Sequence, residues 1–324
     1  MDSHLSPEYY RDESHDQAVK NTQATISHIS EIDACNELIT PIITPRFAPA
    51  CSSDLLMGLG RLAFESKLPI QTHISENESE ISLVSSLFPK HDSYAHCYDS
   101  HGLLTTRTVL AHAIHLSAEE RRLVKERKSK ISHCPVSNTS LSSGLCPVRE
   151  LLDQGIEVGL GTDVSGGYSA SILVAAREAS MVSRTLAGLT VEDFGTARDG
   201  NLEDASSPFA EEALPKVETP KYSTRAKDRK KLSVEECLYL ATRGGGKCLG
   251  LGDKVGGFGV GMEFDAQLIE LREADEIDGG VDDGLVEVWG KETWSEKVAK
   301  WMFCGDDRNT KKVYVKGRMV HKRP

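Results

Sequence analysis

Residues 68–87, LPIQTHISENESEISLVSSL, join a short apolar run to a helical stretch, and this unit decides the fold class. The same unit recurs along the chain. The other apolar runs, each followed by a helical stretch, are LITPIITPRFAP (38–49), TVLAHAIHLS (108–117), SKISHCPVSN (129–138) and IEVGLGTDVS (156–165). Alternation of short strands with helices predicts parallel β/α units, which occur in open doubly wound sheets and in barrels.

The placement of polar residues favours a barrel. Arg46, His73, His112, His133 and Asp163 each lie at or just beyond the carboxyl end of a predicted strand. Barrel enzymes collect their catalytic groups at that rim, one strand at a time. An open nucleotide-binding sheet would need a glycine-rich turn after its first strand, and no G-x-G-x-x-G follows the early strands. The sequence therefore predicts an α/β protein with a partial (β/α)8 TIM-type barrel of about five strands out of eight.

Composition divides the chain into three parts. Residues 1–187 are predicted to form the partial barrel. Residues 188–231, rich in charge, Pro and Ser, are predicted to be a flexible insertion. Residues 232–324 begin with a helix and continue with EFDAQLIEL (263–271) and KKVYVKGRMVH (311–321), which predict a small C-terminal β subdomain. The glycine-rich segment 244–261 is interpreted as turns between short strands.

The overall charge limits the possible partners. A net charge of −11 argues against binding to nucleic acid or to an anionic membrane. No apolar run approaches the roughly 20 residues that cross a bilayer, and the start has no signal-peptide pattern. The eight cysteines include no C-x-x-C pair, which predicts reduced thiols. A cytoplasmic location is expected.

Three strand ends carry groups suited to metal-assisted hydrolysis. His73 offers an imidazole to a divalent metal, and Glu76 follows within reach of a water bound there. Asp163 follows an apolar strand, where a carboxylate is a metal ligand, a general base or a helix N-cap. His112 ends a buried strand, where an imidazole is costly unless it is hydrogen-bonded or functional. Taken together, this order on successive strands favours a mononuclear zinc hydrolase, in which the metal activates water and a carboxylate moves the proton.

Five blocks of sequence carry a more specific resemblance. They are ITPRFAP (43–49), QTHISENESE (71–80), VLAHAIHLSAEE (109–120), SHCPVSNTSLSSG (132–144) and GLGTDVSGGYS (159–169). In order and spacing they resemble the guanine deaminases of the amidohydrolase family. The resemblance covers residues 1 to about 185 and resumes at about 232. It implies conversion of guanine and water to xanthine and ammonia, in purine catabolism, with one Zn²⁺ per site and a possible homodimer.

The resemblance also implies roles for individual residues. His73 and Asp163 resemble the zinc ligands, Glu76 resembles the proton shuttle, and His112 resembles the histidine that orients the attacking hydroxide or the adduct. Arg46 and Phe47 resemble the pair that binds the purine, alongside His73, Glu76 and Asp163. His133 and Asn138 are expected to tie loops together, and Ser165 and Tyr168 to line the mouth of the site.

One part of the family's metal site has no counterpart here. The family's first strand supplies a His-x-His pair, and none of the eleven histidines lies two positions from another. By resemblance, Met1 falls between the family's third and fourth strands, so a truncation is expected. Because zinc sites use three or more protein ligands, the isolated chain is expected to be inactive or weakly active. Two alternatives stay open: another aminohydrolase of the same superfamily, and a non-catalytic relative that acts as an interaction protein.

Overall fold

A four-stranded parallel sheet organises the residues that the computed structural model describes, which are 1–189, 229–273 and 286–323. Its strands, in the spatial order β1–β2–β3–β4, are Ile70–Ile74, Thr108–His112, Lys130–His133 and Val158–Leu160. The register pairs Ile74 with His112 and His133 with Leu160. The carboxyl ends of the strands therefore lie along one edge of the sheet.

The first predicted strand is reduced to a single bridge. Ile43 bridges Ile70 in parallel, but residues 38–49 form no named strand. Pro41 and Pro45 flank this bridge, and a proline has no N–H to donate to a ladder. The segment nevertheless runs alongside β1, because the His73 N–H donates to the Arg46 carbonyl at 3.0 Å. The expectation of five regular strands is corrected to four strands and one bridging segment.

Helices follow the strands as the β/α pattern predicts. The helices before and within this region are α1 His15–Ile32, α2 Ser53–Ser66, α3 Glu78–Leu87, α4 Tyr94–Ser100, α5 Ala118–Glu126, α6 Pro135–Ser140, α7 Val148–Asp153 and α8 Ile172–Gly188. Five of them begin at a serine whose side chain accepts a hydrogen bond from a backbone N–H of the first turn, as at Ser52 and Ser171. The buried core includes Ile70, Leu110 and Ile131 of the sheet and Leu55 and Leu56 of α2.

A second helical segment packs against the last strand. It consists of α9 (Val234–Tyr239), a π-helix (Leu240–Gly244) and α10 (Gly245–Cys248). The interpretation of the glycines at 244–246 as turns is therefore wrong. The glycines lie in helix, and the close approach of this helix to β4 explains the lack of a side chain: a Cβ on Gly244 would sit 2.5 Å from the Val158 carbonyl oxygen.

The remaining strands form two small sheets. An antiparallel sheet has the order β5–β8–β9, with β5 Ala266–Ile269, β8 Thr310–Val315 and β9 Arg318–Lys322. β6 (Arg272–Glu273) pairs with β7 (Glu287–Val288), and α11 spans Trp294–Cys304. The predicted flexible insertion lies, over residues 190–228, outside the described residues.

Two predictions from composition concern membrane-spanning helices and the state of the cysteines. No helix within the described ranges is both long and apolar enough to cross a membrane. All eight cysteines are free thiols, six of them buried. The six buried cysteines need no partner, since a free cysteine packs in the core as a small hydrophobic residue.

Gly60 provides a test of the packing between α2 and α4. A Cβ at this position would lie 2.0 Å from the His101 carbonyl oxygen, just beyond α4. We expect Gly60→Ala to lower the free energy of unfolding by about 1–3 kcal/mol, because the backbone must move apart. Gly188→Ala is the control, since a Cβ there meets nothing within 4 Å and alanine favours helix. Urea denaturation measures both, and equal effects of the two substitutions would contradict this packing.

Candidate functional site

A cavity of about 900 Å³ opens at the carboxyl edge of the parallel sheet. All six residues predicted for the site line it: Arg46, Phe47, His73, Glu76, His112 and Asp163. They come from the segment beside β1, from the ends of β1 and β2, and from the loop after β4. The strand ends thus bring together residues that lie 117 positions apart in the chain, from Arg46 to Asp163.

His73 is held in one tautomer by the neighbouring segment. Its Nδ1 lies 2.7 Å from the Arg46 carbonyl oxygen and donates to it. Nε2 therefore carries the lone pair, which is the arrangement that metal-binding histidines use. Burial lowers the pKa of His73; the hydrogen bond to the Arg46 carbonyl opposes this shift, and the nearby His112 adds to it. The neutral imidazole, the form that binds a metal, is favoured.

His112 is fully buried and presents one nitrogen without a partner. Its Nδ1 donates to Asn138 Oδ1 at 2.8 Å. Its Nε2 has no hydrogen-bond partner among the residues described. That nitrogen lies 3.8 Å from Glu76 Oε2 and 3.9 Å from Asp163 Oδ2. A buried nitrogen without a hydrogen-bond partner costs free energy. A metal ion or donor group that bonded to this nitrogen would therefore stabilise the folded protein.

Each of the two carboxylates accepts a hydrogen bond from a serine that follows β3, one in α6 and one just beyond that helix. Ser137 Oγ donates to Asp163 Oδ2 at 2.6 Å, and Ser143 Oγ donates to Glu76 Oε1 at 3.0 Å. Asp163 does not cap the next helix, because Ser171 is the N-cap of α8. The structure therefore excludes the helix N-cap among the three roles that the sequence left open for Asp163.

The backbone at the site lies in a region that side chains disfavour. Ser75, His112 and Asp163 have φ angles of 49°, 68° and 46°. A residue other than glycine in the left-handed region costs about 1–3 kcal/mol and persists only where its surroundings hold it. Such positions cluster at functional sites, and here each one follows or ends a strand of the parallel sheet.

Glu80 is a cavity residue that sequence reasoning missed. It is 8% exposed and lines the cavity. Its carboxylate accepts from the Tyr94 hydroxyl at 2.7 Å and from the Glu76 N–H at 3.1 Å. Burial raises its pKa, although the Tyr94 hydrogen bond opposes that shift. The signal was the i, i+4 spacing of Glu76 and Glu80, but only the packing of α3 shows that Glu80 is buried.

The segment after β3 holds other residues that contact the site. Asn138 was expected to tie loops together; it lies in α6, and its side chain contacts His112 at the end of β2. Ser137 and Ser143 were not singled out, although both lie in the block SHCPVSNTSLSSG. Ser165 lines the cavity as expected. Tyr168 is 71% exposed and is not among the lining residues.

Three of the site residues could hold a metal ion together. One donor atom from each of His73, His112 and Asp163 lies within 4.8 Å of the others. Two neutral imidazoles and a carboxylate form a ligand set that Zn²⁺ uses in catalytic sites. The unpartnered Nε2 of His112 and the fixed tautomer of His73 fit such an ion.

Comparison with protein families gives one match over nearly the whole chain. The model described as "Amidohydrolase family" matches residues 4–320. The probable guanine deaminase of Schizosaccharomyces pombe is 46% identical over 318 residues, which are 98% of this chain and 52% of that protein. The guanine deaminase of Dictyostelium discoideum is 38% identical over 320 residues, 99% of this chain and 60% of that protein. The chain thus spans between half and two thirds of the length of these relatives.

Solved structures give the same grouping. The structure of guanine deaminase from C. acetobutylicum, with bound guanine in its active site, has a TM-score of 0.76 and 32% identity, covering 99% of this chain and 64% of that chain. The guanine deaminase of E. coli has a TM-score of 0.77 and 29% identity, covering 100% of this chain and 63% of that chain.

His133 leads to a prediction about stability and pH. It is fully buried, its two ring nitrogens contact no polar group in the described part of the chain, and burial lowers its pKa from 6.5 to about 3. Between these values the unfolded chain binds a proton that the folded chain does not. The free energy of unfolding should therefore fall as the pH drops from 6.5 towards 3, by up to about 1.4 kcal/mol per pH unit from this residue.

Urea denaturation at several pH values measures that slope. We expect His133→Gln to flatten it, because glutamine does not titrate. His28→Gln is the matched control, since the His28 side chain is 71% exposed. A slope that is the same in His133→Gln and in the unsubstituted protein would show that His133 is not the responsible group.

Proposed function

This chain belongs to the amidohydrolase family, and on that premise we propose that its cavity is the active site of a guanine deaminase. The reaction converts guanine and water to xanthine and ammonia. The observation that carries the proposal is the convergence of His73, His112, Asp163 and Glu76 in one cavity that Arg46 and Phe47 also line. The alignment of nearly the whole chain with guanine deaminases from two organisms supports this proposal.

We propose that His73 and Asp163 hold a single Zn²⁺, with His112 Nε2 within reach as a third donor. When bound, zinc supplies a Lewis acid that lowers the pKa of water to near neutrality. The chain contains no His-x-His pair, and these three side chains are the described cavity residues whose donor atoms lie within 4.8 Å of one another. Where only His73 and Asp163 hold the ion, weak zinc affinity and slow turnover are the expected consequence.

Proton transfer is assigned to Glu76. Ser143 Oγ holds Oε1, which leaves Oε2 facing His112 Nε2 at 3.8 Å. Glu76 takes one proton from the attacking water and delivers it to the leaving amino nitrogen, while the second water proton goes to a ring nitrogen, so that a C=O bond replaces the C–N bond and ammonia departs. His112 keeps its proton on Nδ1, so Nε2 offers one lone pair: it serves either as the third zinc donor or, where His73 and Asp163 alone hold the ion, as the acceptor that orients the attacking water.

Purine binding is assigned to Arg46 and Phe47. Arg46 offers several N–H donors to the polar edge of guanine, and Phe47 packs on the face of the ring. Leu83 and Leu141 add an apolar wall to the same cavity. His73, Glu76 and Asp163 face the amino group that leaves.

Three further assignments are part of the proposal. The parallel sheet belongs to a (β/α)8 barrel, of which residues 1–187 form a part, and residues 232–324 add a helix and a small β subdomain. The protein works in the cytoplasm, where free cysteines such as those found here stay reduced. Its assembly is a homodimer, as the family resemblance implies.

The proton role of Glu76 predicts a large loss of rate with no loss of metal. In the zinc-loaded chain, Glu76→Gln should slow ammonia release from guanine by about 100- to 10,000-fold. Zinc content should not change, because Glu76 is not assigned as a ligand. Glu78→Gln is the matched control, since Glu78 is exposed on α3 and does not line the cavity. Ammonia release and zinc content are measured on the same samples.

A substrate panel tests the choice of guanine. Guanine should be deaminated in preference to adenosine and to aminotriazines, because Arg46 and Phe47 match a guanine ring. A zinc-loaded chain that neither binds nor deaminates guanine, or that prefers a triazine, would contradict the proposed function. Turnover by Glu76→Gln at the full rate would contradict only the role of Glu76.

Asn138 gives a prediction about metal affinity. Asn138→Ala removes the acceptor that holds His112 Nδ1 and so frees the ring to turn. We expect zinc affinity to fall by about 10- to 100-fold, as is usual when the partner of a ligand is removed. Thr139→Ala is the control, since Thr139 is exposed on the same helix. Competition with a zinc-binding dye measures the zinc affinity of both variants. An unchanged affinity in Asn138→Ala would show that His112 is not a zinc ligand.

A further inference from the structure

We propose that His91, Cys97 and His101 form a second cation site, for Zn²⁺ or a similar divalent d-block ion, at the hairpin between α3 and α4. One donor atom from each side chain lies within 4.8 Å of the others. None of the three lines the catalytic cavity. The proposal does not depend on the proposed function.

Helix geometry brings two of the donors together. Cys97 lies in α4, and His101 follows it four positions later at the helix end, so both project from one side. Cys97 Sγ is 4.0 Å from His101 Nδ1. His91 reaches the same place from the turn before α4, and its ring centroid is 5.4 Å from that of His101.

The site is buried on one side and open on the other. Cys97 is 0% exposed and His101 is 6% exposed, whereas His91 is only partly buried. Phe88 covers the cluster, with its ring centroid 6.4 Å from His91 and 6.3 Å from His101. An ion can therefore enter past His91 and lose most of its water against the other two donors.

The hydrogen bonds of His101 can adapt to an ion. Nδ1 now donates to the Cys97 carbonyl at 2.6 Å, and Nε2 accepts from Ser53 Oγ at 2.7 Å. A serine hydroxyl accepts as readily as it donates. When the proton moves to Nε2, that nitrogen donates to Ser53 Oγ and Nδ1 becomes a ligand. A hydrogen bond of this kind behind a metal-bound histidine fixes the orientation of its ring.

The donor set selects the class of ion. Two imidazoles and a thiolate favour Zn²⁺ or Co²⁺ over Mg²⁺ and Ca²⁺, which prefer oxygen ligands. Zinc bonds of about 2.0–2.3 Å place neighbouring ligand atoms roughly 3.5 Å apart, so His91 must turn inwards slightly. Coordination releases the Cys97 proton to solvent, and a water completes four ligands at the open side.

An ion here would stabilise α4, which also supports the catalytic edge of the sheet. Tyr98, next to Cys97 on α4, donates its hydroxyl to the His73 carbonyl at 2.8 Å. Gly60 of α2 packs directly on the His101 backbone. The proposed ion would thus join the α3–α4 hairpin at the point where α2 and β1 also meet it.

Cobalt titration of the full chain under reducing conditions tests the site. The catalytic donors are only nitrogen and oxygen, so a sulfur-to-cobalt charge-transfer band in the near ultraviolet reports a thiolate ligand. We expect this band in the unsubstituted protein and in His73→Ala. Cys97→Ser should lose this band. In the His73→Ala background, Cys97→Ser should also weaken cobalt binding by more than about 100-fold, because removing a ligand costs more affinity than removing a residue that hydrogen-bonds a ligand.

These measurements of metal binding test the second cation site without requiring an active enzyme. Absence of the band from the unsubstituted protein would overturn the proposal. So would its persistence in Cys97→Ser, which keeps the exposed thiols of Cys35 and Cys304. If Cys97→Ser fails to fold, zinc-edge X-ray absorption of the zinc-loaded His73→Ala protein replaces it: one sulfur neighbour supports the site, and nitrogen and oxygen neighbours alone refute it.

Discussion

Parallel hydrogen bonding between β1, β2, β3 and β4 sets the distances among His73, His112 and Asp163, and the chemistry of the cavity depends on it. The register places Ile74 beside His112, so the first two strands end level with each other. The ladder continues to β4, after which the chain reaches Asp163. A slip by one residue in any pair would turn a site residue to the opposite face of the sheet. The apolar faces of these strands, buried in the core, make such a slip costly.

A second constraint comes from the ten residues that follow β3. Ser137, Asn138 and Ser143 provide hydrogen-bond partners for Asp163, His112 and Glu76 in turn. One segment, made of α6 and the residues just after it, therefore orients three groups that belong to three different strand ends. Because each contact fixes a side chain rather than supplying a reacting atom, this segment positions the site residues. It also helps to hold His112 and Asp163 in their disfavoured backbone conformations.

Histidines that look alike in the sequence lie in different environments in the structure. His73 and His112 share a tautomer and face the same cavity, while His133, one strand further on, is fully buried and has no polar partner in the described residues. His91 and His101 lie at a separate cluster with Cys97. The difference is in burial and in what the second ring nitrogen contacts. Neither property follows from a residue's place in a motif.

Much of this organisation was predictable from local patterns. The alternation of apolar runs and helical stretches predicted the β/α order, and the polar residues at the run ends predicted that His73, His112 and Asp163 would meet. Those inferences succeed because strand and helix periods are properties of short segments. Around Pro41 and Pro45 the pattern predicted a strand, and the missing N–H groups left a single bridge. At Gly244 the pattern predicted a turn, whereas the residue lies in a helix whose close packing on Val158 leaves no room for a side chain.

The amino-acid sequence alone is enough to predict the parallel β/α order, the residues at the strand ends and the lack of a His-x-His pair. The folded structure is needed to show which nitrogen of each histidine is available, that Glu80 is buried beside Glu76, and that the segment after β3 holds both carboxylates. These features depend on contacts between segments far apart in the chain, such as Ser143 with Glu76 across 67 positions. Burial and hydrogen bonding arise only when such segments pack together, and so they cannot be inferred from the spacing of residues along the chain.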